Sequence, residues 1–80
     1  MHPPPITAPK EIPKEREIFA RNFKAAREAA GLSQREIHKQ TGIGYTYLSR
    51  VENCLENISL DKMAVLAAAV KKPLFELLRP

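Results

Sequence analysis

Tryptophan is absent from this chain, cysteine occurs once, glycine three times, and aromatic residues fill only 6% of its 80 positions. Each scarcity excludes something. A single cysteine, Cys54, cannot close an intramolecular disulfide, so the fold is expected to stand on packing alone, as in a reducing compartment. Cys54 with two histidines, His2 and His38, falls short of the four ligands of a structural zinc; no metal and no cofactor is expected. The longest apolar run, Met63 to Val70, is far below the ~20 residues that cross a bilayer. The opening MHPPPITAPK lacks the basic start and apolar segment of a signal peptide. A cytoplasmic protein without a membrane partner is the expectation. No Ser/His/Asp, Cys/His or paired-carboxylate set suggests a cleft, and so small a domain has little room for one, so no enzymatic activity is expected.

What is present points to one small domain. A chain of this length buries only about 60% of its unfolded surface, and with three Phe and two Tyr the core must come mostly from Leu, Ile, Val and Ala. The net charge of +4 favours a polyanionic partner, but a bias of this size serves solubility equally well.

Residues 1–12 read as a Pro-rich tail, since Pro3, Pro4, Pro5 and Pro9 forbid regular helix, and Lys10 and Glu11 cancel in charge. A tail of this kind is either disordered or an arm that touches DNA or a partner. Residues 13–80 read as an all-α domain of five helices. Pro13 suits the first turn of a helix that runs to Ala30, with Phe19, Phe23, Ala26 and Ala30 as its apolar stripe and Gly31 as its stop. A fourth helix, Leu60 to Val70, is capped by Ser59 and carries Leu60, Met63, Ala64, Ala67 and Val70 as its stripe. Lys71 and Lys72 complement its dipole, and Pro73 opens a short fifth helix bearing Leu74, Leu77 and Leu78.

Between these lies the most informative segment, SQREIHKQTGIGYTYLSRV, from Ser33 to Val51. Ser33 and Glu36 form a capping box that starts helix two, and Thr41-Gly42 stops it. Tyr45 opens helix three within a few residues. So short a connection makes two helices cross steeply, the geometry of a DNA-binding helix-turn-helix. At 3.6 residues per turn Leu48 and Val51 face inward with Tyr47 at the margin, while Tyr45, Thr46, Ser49 and Arg50 share the outer face. Reading base edges in the major groove requires donors and acceptors near a helix start; Tyr45 and Thr46 stand there and Arg50 follows about one turn on, so these four are the base-reading candidates. For Arg50 a phosphate contact and a merely solvated charge stand as alternatives. Arg35 and Lys39 are either positioning charges on the DNA backbone or solvated residues.

From Phe19 to Leu78 the chain resembles the Cro/repressor-like (XRE-type) helix-turn-helix family, which includes the phage lambda repressor domain and restriction–modification controllers. The pattern F-x-x-x-F-K-x-x-R-E-A-x-G-L-S-Q is met by Phe19, Phe23, Lys24, Arg27, Glu28, Ala29, Gly31, Leu32, Ser33 and Gln34. T-G-I-x-x-x-Y-L-S-R-V-E-N and N-x-S-L…L-A-x-A follow in order. The resemblance implies a compact five-helix bundle, helix three in the major groove, and a dimer on a two-fold-symmetric operator whose half-sites lie about 34–36 Å apart. It implies backbone contacts at Gln34, Arg27, Asn53 and Tyr47, and an ion pair between Arg27 and Glu52 that holds the reading helix to the body. Leu74, Leu77 and Leu78 are expected at the dimer interface. A different class remains open: a protein-interaction module such as an antitoxin, with a toxin or polymerase as partner.

The chain departs from the family pattern at three places. Cys54, Leu55 and Glu56 stand where glycine and basic residues are usual, and Glu56 would repel a phosphate. His38 replaces a small residue between helices two and three, so it must lean outward or open the crossing. Lys72 replaces an apolar residue, and snorkelling would bring its amine to solvent.

Overall fold

The computed structural model describes residues 12–80 and contains five helices: α1 (Lys14–Ala29), α2 (Gln34–Thr41), α3 (Tyr45–Glu52), α4 (Leu60–Ala69) and α5 (Leu74–Leu77). No strand occurs among the described residues. Apart from Ile12, the tail expected over 1–12 lies outside them.

Pro13 stands one step before α1, with ψ at 144°, and its carbonyl takes the Arg16 amide. Its fixed φ suits both the first turn and the cap position, so only ψ decides between them. Glu15 and Glu17 favour the helix start electrostatically. The helix stops one residue early, leaving Ala30 exposed, and Ala20 joins Phe19 and Phe23 on the buried face.

The ends of α1, α3 and α4 share one device. In each, the amide two residues past the cap bonds back to the third-last carbonyl, as in Leu32 to Arg27, Leu55 to Arg50 and Lys72 to Ala67. A second bond closes the same turn from Gly31 to Glu28, Cys54 to Val51 and Lys71 to Ala68. This closure needs a left-handed residue at the turn. Only α1 supplies glycine, with φ at 70°; Cys54 and Lys71 take φ values of 60° and 58°.

The core joins all five helices: Phe19 and Phe23 of α1, Ile37 of α2, Leu48 and Val51 of α3, Leu66 and Ala67 of α4, Leu77 of α5, with Ile58 and Val70 from the connections. The Phe19 and Phe23 rings stack with centroids 5.9 Å apart. Burying each of the larger side chains contributes about 1.5–3 kcal/mol.

Two sequence expectations fail here. On α4 the buried stripe is Leu66, Ala67 and Val70 with Met63 half-buried, whereas Leu60 is 63% exposed and Ala64 lies on the surface. This helix is apolar nearly all round, so periodicity could not select a face; packing against α2 and α5 does. On α5 Leu77 is buried, which takes it out of the expected dimer contact, while Leu74 and Leu78 pack half-buried against the core. The side-chain amide of Asn22 on α1 donates to the Leu77 and Arg79 carbonyls at 3.1 and 2.7 Å, fixing this orientation. Phe75 is left 65% exposed. Lys72 does reach solvent, with its amine 3.9 Å from Glu76.

Candidate nucleic-acid interface

The interface begins at the capping box. Ser33 Oγ accepts the Glu36 amide at 3.1 Å and the Glu36 carboxylate accepts the Ser33 amide at 3.3 Å. The Ser33 carbonyl takes the Ile37 amide, which leaves the Gln34 and Arg35 amides as the orphan donors of this helix start. Gly42 closes α2 at φ 77°, its amide bonded to the His38 carbonyl. Thr41 then stitches the turn: its hydroxyl donates to the Ile37 carbonyl and accepts the Ile43 amide. His38 leans outward. Its Nδ1 lies 2.9 Å from the Ile43 carbonyl, and its ring meets Tyr45 edge-on with centroids 6.1 Å apart. The helix crossing is therefore not forced open; His38 bonds across the turn instead.

A buried carboxylate holds α3 in place. Arg27 donates Nε–H to Glu52 Oε2 at 2.6 Å and Nη2–H to Oε1 at 2.8 Å, with Nη1 on the Leu32 carbonyl at 2.8 Å. The side chains are only 12% and 4% exposed. Gln34 Nε2 also donates to Glu52 Oε1, at 3.2 Å. One carboxylate thus ties the end of α1, the start of α2 and the end of α3. The hydrogen bond to Glu52 pushes the Arg27 pKa above its ordinary value; partial burial opposes this, and the charges of Glu52 and Glu28 add to the rise. Arg27 spends three of its five N–H groups in this brace, one from each nitrogen. Gln34 lies half-buried, its amide drawn toward Glu52.

On the outer face of α3, Tyr45, Thr46 and Arg50 are exposed and Ser49 is half-buried. Gly44 precedes the helix without a side-chain cap, so the first turn of α3 keeps its donors open. Tyr47 is half-buried against the core, and the Lys62 amine of α4 sits 4.6 Å above its ring. The sequence reading missed Lys62, because its distance from the motif hides a contact that exists only in the folded chain. Asn53 spends its amide Nδ2 on the Ser49 carbonyl at 2.8 Å and so caps α3. Arg35 and Lys39 are exposed on α2. Arg50 is not free: its Nε–H bonds Glu56 Oε1 and its Nη2 donates to the Leu55 carbonyl at 3.2 Å. Among the described residues no group of three or more His, Cys, Asp or Glu side chains could hold a metal, and no helix is long and apolar enough to cross a membrane.

A box-capped helix, a glycine-closed turn and a second helix braced to the body with its polar face outward define a helix-turn-helix domain of the kind found in DNA-binding regulators. The chain belongs to the helix-turn-helix family, whose profile matches residues 23–77. Over 78 residues it is 37% identical to a Neisseria hypothetical transcription factor of Neisseria meningitidis serogroup B, covering 94% of this chain and 74% of the relative. The crystal structure of that Neisseria factor superposes with a TM-score of 0.77 at 38% identity, over 92% of this chain and 88% of the other. The restriction-modification controller C.AhdI from Aeromonas hydrophila is similar at 29% identity, with a TM-score of 0.74 over 81% of this chain and 98% of its own. The clp gene regulator ClgR from Corynebacterium glutamicum shares the fold, at 22% identity and a TM-score of 0.78 over 85% of this chain and 72% of its own.

Proposed function

We propose that this protein is a sequence-specific, double-stranded DNA-binding transcriptional regulator that works in the cytoplasm without enzymatic activity. Its α3 enters the major groove of a two-fold-symmetric operator, and the protein binds as a homodimer. The observation that carries this reading is the Glu52 brace. It fixes α3 against α1 and α2 through buried, charge-assisted bonds, and so holds Tyr45, Thr46 and Arg50 outward in one orientation. Tyr45, Thr46, Ser49 and Arg50 read bases. The exposed cations Arg35 and Lys39, with Gln34, Asn53 and Tyr47 at the rim, meet the phosphates and set register. Lys62, poised over Tyr47, adds a cation to that rim. The kinship with a transcription factor and a controller protein supports the same class. With its leucines turned inward, α5 offers Phe75 as the dimer contact.

The test is fluorescence anisotropy of the purified chain on random duplexes and on duplexes selected from them, across a salt series. A selected palindrome bound about a thousandfold better than random DNA, with affinity falling as salt rises, is the expected result. Weak binding without preference would point to a protein-interaction module instead.

A further inference from the structure

Arg50 leaves the last turn of α3, and the planar guanidinium it carries has two usable edges. The side edge presents Nε–H beside one N–H of Nη2; the end edge presents Nη1–H beside the other N–H of Nη2. The side edge is occupied within the protein, by Glu56 Oε1 at 2.5 Å and by the Leu55 carbonyl at 3.2 Å. The backbone closes the same loop, because the Leu55 amide returns to the Arg50 carbonyl at 2.7 Å through the left-handed turn at Cys54. The end edge stays open, and the Arg50 side chain is 50% exposed. Two parallel N–H groups are the match for O6 and N7 of a guanine.

An ion pair this exposed contributes little to stability. Its consequence is orientation. An unpaired arginine must surrender its rotamer freedom on binding DNA, whereas one already held along one edge has less to lose. The carboxylate also acts in the opposite sense, since a negative charge beside the groove weakens attraction to every phosphate. The two effects are separable: the first acts on one base pair, the second on all DNA alike.

We propose that Glu56 is a specificity-determining positioning residue, which holds the side edge of Arg50 and thereby presents its end edge to a guanine at one operator position. The proposal rests on the reading of Arg50 as a base contact. Glu56 does not itself touch the base.

The experiment compares wild type, Glu56→Ala, Glu56→Gln, Arg50→Ala and the Arg50→Ala/Glu56→Ala double variant. Each is titrated by anisotropy against the selected operator, its single-base-pair variants and a random duplex. Both Glu56 variants remove one negative charge and bind random DNA more tightly than wild type does. Glu56→Ala loses roughly tenfold preference at one position. Glu56→Gln keeps most of that preference, because its amide oxygen still accepts the Nε–H. Arg50→Ala loses preference at the same position, and adding Glu56→Ala costs nothing further there. Equal gains on operator and random DNA with every base preference intact in Glu56→Ala would overturn the proposal and leave Glu56 a plain electrostatic brake. Preference lost in Arg50→Ala but kept in Glu56→Ala would overturn it while sparing the reading of Arg50. Unchanged preferences in Arg50→Ala would overturn both.

Discussion

Glu52 at the end of α3 accepts two hydrogen bonds from Arg27 at the end of α1, at 2.6 and 2.8 Å, inside a region that leaves its side chain 4% exposed. These residues are 25 positions apart, and their bond couples the stability of the domain to the pose of its outward helix. Removing either partner strands a charge with little access to water. Glu52→Ala and Arg27→Ala are each expected to cost about 3 kcal/mol. For a domain of this size that lowers Tm by roughly 10–20 °C, readable by thermal circular dichroism. A melting point equal to that of wild type would show that the brace is energetically idle.

Arg50 gives a second prediction, about base preference and not stability. Arg50→Ala leaves Tm nearly unchanged, since its ion pair is exposed, but costs about 1–3 kcal/mol on the selected operator. Random duplex loses much less. Equal losses on both would make Arg50 a phosphate contact.

The left-handed turns predict opposite signs for two glycine exchanges. Gly42 sits at φ 77°, and a Cβ there would meet nothing within 4 Å, so Gly42→Ala pays only backbone strain, about 1 kcal/mol of destabilisation. Cys54 already bears such strain at φ 60°. Cys54→Gly relieves it against the greater chain entropy of glycine and raises stability by roughly 0.5 kcal/mol. Urea denaturation midpoints check both, and a destabilised Cys54→Gly would mean that the thiol's packing outweighs the strain.

The last helix separates folding from assembly. Leu77→Ala removes a buried side chain and is expected to cost about 2–5 kcal/mol. Phe75→Ala removes an exposed one and is expected to leave the fold intact while weakening the proposed dimer. Sedimentation velocity on Phe75→Ala against wild type reads this directly; an unchanged distribution would place the dimer contact elsewhere.

The α2–turn–α3 unit is legible in residue order alone. Its signals are local: Ser33 with Glu36, Gly42 after Thr41, and the division of α3 into a Leu48–Val51 side and a Tyr45–Thr46–Arg50 side all act over five residues or fewer. Bonds of that range are written in residue order, and so the start of α3 at Tyr45 could be read directly. The Arg27–Glu52 pair could be named only through family resemblance, because spacing alone does not join residues so far apart. Tertiary structure decided the rest. Where α4 is apolar nearly all round, its neighbours chose Leu66 over Leu60 for the core. On α5 the same packing, pinned by Asn22, turned the leucines inward and left Phe75 outside. Helices α3 and α4 end in left-handed turns at Cys54 and Lys71, residues that carry no local signal for that conformation. The Arg50–Glu56 clamp follows from the first of these turns: a loop that the sequence marked only as acidic folds back onto the helix, and a charge expected to repel DNA becomes the partner of an outward arginine.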